Sequence, residues 1–152
     1  MSTKLQMIYL GADHRGLVLK KKVKTWLGRW GYRFQDLGAQ KLDPDDDYPD
    51  FALPVARAVA KNKDARGILI CSGGAGMDIV ANKVNGIRSV LAVKPKQVYA
   101  SRRDDHVNIL VFAADYTPQS EARKSVRFFL ETEGSNDPRF LRRLAKIKEI
   151  EE

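Results

Sequence analysis

Cysteine is nearly absent from this chain: Cys71 is the single one among 152 residues. An intrachain disulfide is therefore excluded, and a reducing cytoplasm is the expected setting. No apolar stretch is long enough to span a bilayer, and Met1 to Leu5 carry no leader-like pattern, so no membrane partner is expected. Internal repeats, low-complexity segments and linkers are missing too. Residues 1–152 accordingly read as one domain, long enough to bury a real core.

What the chain does have is an ordinary globular balance, 43% hydrophobic and 30% charged, with a net charge of +8. Such a charge raises the question of nucleic acid. The cations are dispersed, however, over Lys20 to Lys24, Arg102-Arg103 and Arg139 to Lys148. The first group falls on an amphipathic helix and reads as a solvated face. No zinc-ligand spacing or aromatic-rich binding strand accompanies them, so no nucleic-acid partner is expected. A basic surface of this kind suits phosphorylated metabolites equally well.

Short apolar runs alternate with amphipathic stretches along the whole chain. Strands are expected at Met7 to Leu10, Tyr32 to Leu37, Gly67 to Cys71, Arg88 to Val93 and Val107 to Phe112. Between them lie helices at Leu17 to Trp30, stopped by Gly31, and at Phe51 to Val59, Met77 to Val84 and Pro95 to Arg103. Pro118 to Leu130 follows, and Pro138 to about Ile150 forms a terminal helix with Asp137 as N-cap. Strict alternation calls for parallel strands and right-handed crossovers. The expected fold is a three-layer α/β/α sandwich on a five-stranded parallel, Rossmann-like sheet with a C-terminal helix. In such sheets ligands sit at the carboxyl ends of strands.

Cys71 occupies such an end, followed by Ser72-Gly73-Gly74-Ala75-Gly76 and then a helix. Backbone N–H groups and the positive end of a helix dipole meet there, a field expected to favour the thiolate. A buried cysteine that merely fills space is the plainer reading of its position alone. Asp13 and His14 follow the first strand, where capping of the next helix is as natural as binding. Tyr48, taken alone, reads as a half-buried aromatic. Arg139 and Arg143 stand four apart and share one helix face, able to grip a phosphate although a solvated basic face is the plainer reading of the pair alone, with Phe140, Leu144 and Ile147 as the stripe that docks the helix.

The segments Gly11-Ala12-Asp13-His14-x-Gly16, Asp47-Tyr48-Pro49, Gly67-Ile68-Leu69-Ile70-Cys71, Ala81-Asn82-Lys83 and Gly86-Ile87-Arg88 come in a set order and spacing. Together they resemble type B ribose-5-phosphate isomerase and its relative galactose-6-phosphate isomerase, from about Met7 to Arg143. The resemblance implies a cytoplasmic aldose–ketose isomerase of the pentose phosphate pathway. It implies no metal and no cofactor, and a homodimer, or a tetramer, with active sites at the subunit interface. Ribose 5-phosphate to ribulose 5-phosphate is the leading expectation, through a cis-enediol with Cys71 as carbon base. Amides from Gly73, Gly74 and Gly76 would hold the enediolate oxygen. Asp13, His14 and Tyr48 would contact the sugar, with Asp13 taking part in catalysis, and Arg139 and Arg143 would take the phosphate.

The chain also departs from the family pattern. The loop carries Ser72-Gly73 where the family has Gly-Thr, and Met77 stands where a second lineage places a glutamate base. Asp78, one residue on, is turned away by a helical step. Asp104 and Asp105 fall on the positions of the ring-opening histidine and its asparagine. Asp104 would replace that histidine if burial raised its pKa, and His106 would reach the site only if the helix had ended. Asp115 stands in place of a phosphate-binding arginine and needs Arg102, Arg103 or Arg123 to neutralise it. These changes sustain an alternative: a non-catalytic sugar-phosphate-binding protein, or the partner subunit of a heteromeric isomerase.

Overall fold

The structure, a computed structural model, describes residues 6–151; Met1 to Leu5, read above as lacking a leader pattern, lie outside the described residues. Five strands alternate with helices: β1 Met7–Ala12, α1 Leu17–Trp30, β2 Arg33–Asp36, α2 Pro49–Ala60, β3 Arg66–Cys71, α3 Ala75–Asn82, β4 Ser89–Leu91, α4 Pro95–Asp105, β5 Ile109–Ala113, α5 Gln119–Glu131 and α6 Pro138–Ile150. Every strand pair is parallel, in the order β2-β1-β3-β5-β4. The expected sandwich and sheet are both present.

The order has a direct consequence. From β1 the chain steps outward to β2, then returns to place β3 on the other side of β1. Strand direction of travel therefore switches between β1 and β3, which opens a crevice at their carboxyl ends. Asp13 and Cys71 leave the sheet at that crevice.

Alternation along β3 sorts its side chains between two cores. Ile68 and Ile70 join Leu10, Leu27, Phe112 and Phe129 on the face covered by α1 and α5. Leu69 and Cys71 join Ala52, Val55, Met77 and Val111 on the face covered by α2 and α3. All six residues of β3 are buried, as a central parallel strand requires.

Local signals set most boundaries. Gly31 ends α1 with φ 80, and the Tyr32 amide returns to the Leu27 carbonyl at 2.9 Å, closing the helix in a left-handed cap. Asp137 accepts the Arg139 amide at 2.8 Å and starts α6. Helix α2 begins two residues before the expected Phe51, at Pro49, whose fixed φ and missing N–H suit a first turn. Strand β4 is shorter than Arg88 to Val93, because Arg88 and Ala92 bond to loop and β5 groups outside the ladder.

Two surface expectations need correction. Lys20 is not on a solvated face: it is 3% exposed, and its Nζ donates to Asp36 at 3.1 Å and to the Ala39 carbonyl. Lys24 reaches the same carboxylate. The ammonium tolerates burial because a carboxylate and a carbonyl replace its water. Helix α6, conversely, has no buried residue; Phe140 and Leu144 are half-buried and Ile147 is exposed, so the stripe docks the helix onto its own chain only in part, with Glu151 at its end accepting the Gly86 amide at 2.9 Å.

Candidate active site

Glycine brings the two crevice loops together. A Cβ on Gly16 would stand 2.5 Å from the Ile70 carbonyl oxygen, so only glycine lets the turn His14–Gly16 lie against the end of β3. Asp13 caps that turn, accepting the amides of Arg15 at 3.0 Å and Gly16 at 3.2 Å. Capping is thus part of its role. Asp13 is also 6% exposed, and burial pushes its carboxyl up from the ordinary value, against the lowering effect of the Arg15 amide.

Cys71 lies beside it. Its Sγ accepts the Gly74 amide at 3.2 Å. The expectation of a lowered thiol pKa is overturned: burial pushes the thiol up, and the nearby Asp13 charge adds to this. Amides of Met77, Gly74 and Gly73 pull the other way without prevailing. Desolvation of a thiolate outweighs the loop dipoles. The loop is fixed from β5, since Ala114 and Asp115 donate their amides to the Cys71 and Ser72 carbonyls at 2.8 and 3.1 Å.

Tyr48 closes another wall. A Cβ on Gly76 would fall 2.4 Å from Tyr48 Cε1, so the hydroxyl end of the ring packs against the glycine loop. Gly73 lines a neighbouring cavity of about 310 Å³ with Leu91, Ala113 and Tyr116.

His14 has a partner that sequence reasoning missed. Its Nδ1–H donates to Asp46 Oδ1 at 2.5 Å, and its backbone amide reaches the same oxygen at 3.2 Å. Asp46 sits in an acidic loop whose residues look alike in sequence, so nothing local marks it. Asp13, His14 and Asp46 bring ligand-type atoms within 4.8 Å of one another, but the Nδ1 proton is already committed to Asp46. Asp115 is also neutralised differently from expectation. Arg15 pairs with it at 2.9 Å, while Arg102 donates to the Val107 and Thr132 carbonyls, Arg103 to Asp104, and Arg123 lies over Trp30.

The remaining expected site residues lie elsewhere. Arg88, just before β4, donates to the Asp105 and His106 carbonyls, which puts the end of α4 at the amino ends of the strands, opposite the crevice. Asp104 is held there by Arg103 at 2.6 Å, and that guanidinium keeps its carboxyl below the ordinary value. Arg103 outweighs the raising effect of burial, so Asp104 is an ionised carboxylate and not a poised acid. The helix does end before His106, which adopts φ 48, yet its Nε2–H donates to the Ser135 carbonyl at 2.9 Å and is thereby engaged. Arg139 pairs with Asp137 at 2.7 Å, and Arg143 lies 5.7 Å from the Phe140 ring centroid. Asp78 is turned away as expected, accepting the Ser89 hydroxyl at 2.6 Å. The expected site residues therefore fall into two groups at opposite ends of the sheet.

A buried thiol, a desolvated carboxyl and a carboxylate-held imidazole around a glycine loop belong to an enzyme that moves protons on a small substrate. Residues 8–147 match the model of the Ribose/Galactose Isomerase family, and the chain belongs to that family. A probable ribose-5-phosphate isomerase B of Mycoplasma genitalium is 40% identical over 141 residues, covering 92% of either chain. The crystal structure of ribose-5-phosphate isomerase B from Mycoplasma genitalium with bound ribulose-5-phosphate is similar at a TM-score of 0.91, with 39% identity over 95% of each chain. The type B ribose 5-phosphate isomerase of Trypanosoma cruzi reaches 0.92 at 30% identity over 97% of each.

Proposed function

We propose that this chain, working as one domain, interconverts ribose 5-phosphate and ribulose 5-phosphate with Cys71 as the carbon base. The observation that carries this reading is the Cys71 sulfur at the β1/β3 crevice, receiving the Gly74 amide and flanked by Asp13. Removing a proton next to a carbonyl demands a placed base and a stabilised oxyanion. Cys71 takes the proton from C2 and returns it to C1. Gly73, Gly74 and Gly76 present the amide loop, at the start of α3, to the enediolate oxygen.

The cyclic sugar must open first. Ionised Asp104 suits removal of the anomeric hydroxyl proton, Asp13, whose carboxyl burial pushes up, suits return of a proton to the ring oxygen, and His14 Nε2, left over by the Asp46 bond, suits acceptance of a sugar hydroxyl. Tyr48, Ser72 and Asp105 contact the sugar, and Arg139 and Arg143 take its phosphate. The two half-sites meet only if α6 and the end of α4 from a second copy enter the crevice. The unburied face of α6 supports such a homodimer. Use of a free thiol base accords with a reducing cytoplasm.

Mixing two inactive variants tests this arrangement. Cys71→Ala supplies an intact phosphate half-site, and Arg139→Ala/Arg143→Ala an intact thiol half-site. Refolded together, they should recover about one quarter of wild-type turnover, because half the dimers are mixed and each holds one complete site. No recovery would reject the shared site. Binding of ribose 5-phosphate with no turnover by the wild-type protein would instead favour the non-catalytic reading.

A further inference from the structure

At the end of the sheet opposite Cys71, a cavity of about 450 Å³ is lined by Arg66, Arg88 and Arg102 together with Gln6, Lys63 and His106. Arg66 opens β3 and is 7% exposed. Its guanidinium donates to the Phe129 carbonyl and lies 5.5 Å from the Phe129 ring centroid. Arg102 serves the Val107 and Thr132 carbonyls, and Arg88 those of Asp105 and His106. None of the three has a carboxylate at ion-pair distance among the described residues. Interior charges are ordinarily paired, since desolvating one ion costs several kcal/mol. Here burial and mutual repulsion depress the guanidinium groups, Arg66 to about 9 and Arg102 to about 10.

Clasping the carbonyls at the ends of α4 and α5 explains the donors, and the negative ends of those helix dipoles favour a cation there, yet three guanidinium groups gather on the wall of one cavity. A further observation stands apart from the arginines. Among the described residues, Gln6 Nε2, on the same wall, is buried with no hydrogen-bond partner, an N–H donor awaiting an acceptor. Acidic groups are present but peripheral: Asp64 and Glu133 are exposed at the rim, Glu133 acts on Arg66, and Asp105 and Glu151 act on Arg88.

We propose that this cavity, beside the end of α4 and across the sheet from the same chain's Cys71, binds the phosphate group of a small phosphorylated molecule. Guanidinium groups arriving from β3, from the residue before β4 and from α4 surround a tetrahedral oxyanion from several directions. The volume leaves room for the organic body that carries the phosphate, and the rim carboxylates offer acceptors for its hydroxyls. An occupant would tie β3, β4 and α4 together where Asp104 leaves the helix.

The test uses 15N-labelled full-length protein carrying Arg139→Ala/Arg143→Ala, which removes the phosphate grip proposed for the crevice. Inorganic phosphate and glycerol 3-phosphate are titrated separately, at ionic strength held constant with sodium chloride, while arginine Nε–Hε resonances are followed. Saturable shifts of Arg66 and Arg102 at millimolar ligand are expected. Tighter binding of the ester identifies a phosphorylated metabolite as the occupant; equal binding identifies free phosphate. In the same background Arg66→Gln, which keeps a donor and removes the charge, should weaken binding about tenfold or more. Resonances that stay still, or that drift linearly without saturating, would overturn the proposal whether or not Arg66→Gln folds.

Discussion

The amide of Gly74 points at the sulfur of Cys71 over 3.2 Å, from a residue held at φ +77. A side chain is doubly opposed there, since a Cβ would also stand 2.3 Å from Leu91 Cδ1. Gly74→Ala should therefore destabilise the fold by about 1–3 kcal/mol. It should also cut turnover by more than stability explains, because the amide loop loses its aim. Urea unfolding beside steady-state kinetics separates the two effects.

Cys71→Ala should lower kcat by about 10²–10⁴-fold, the usual contribution of a positioned base. Solvent deuterium should no longer enter C2 of the aldose phosphate, as read by NMR, while circular dichroism stays native. Retained exchange would refute the role of the sulfur.

The raised Cys71 thiol fixes the sign of two pH effects. Below the ordinary value of 9.0 the thiol is protonated in folded and unfolded chains alike. As pH climbs further the unfolded thiol ionises first, so stability falls until the folded value is passed. Cys71→Ala should flatten that alkaline loss in thermal melts. In the wild type kcat/KM should rise with pH toward this region, tracking the thiolate.

Asp46 holds His14 through both its ring and its backbone amide. Asp46→Asn keeps the size but removes the carboxylate that fixes the imidazole tautomer. The expected outcome is a fall in kcat of about tenfold or more, with an altered pH profile and an unchanged melting temperature. An unchanged pH profile would demote Asp46 to loop support.

Lys20 and Asp36 form a buried pair, and Lys20→Ala should cost about 1.5–3 kcal/mol in urea unfolding, by taking one of two ammonium partners from Asp36 and the donor from the Ala39 carbonyl. Burial alone would raise Asp36, but the Gly38 amide, Lys20 and Lys24 outweigh it and hold the carboxyl below the ordinary 3.8. The resulting stability is complete above that pH and is lost as pH falls through the folded value. The variant should show a shallower acid transition.

Local chemistry in the sequence determined the alternation of strands and helices, the Gly31 and Asp137 caps and the loop after Cys71, because hydrophobic period and capping act within a few residues. The family motifs carried the reading further, to Asp13, His14 and Cys71 as neighbours. Tertiary structure alone decided the partners: Asp46 for His14 at 32 residues' separation, Arg15 for Asp115 at 100, and Asp36 for Lys20. It also decided protonation, raising Cys71 and lowering Asp104 against expectation. Charge state depends on how much water remains and on which ion stands nearby. Both are properties of segments brought together by the sheet, and no stretch of chain holds them by itself.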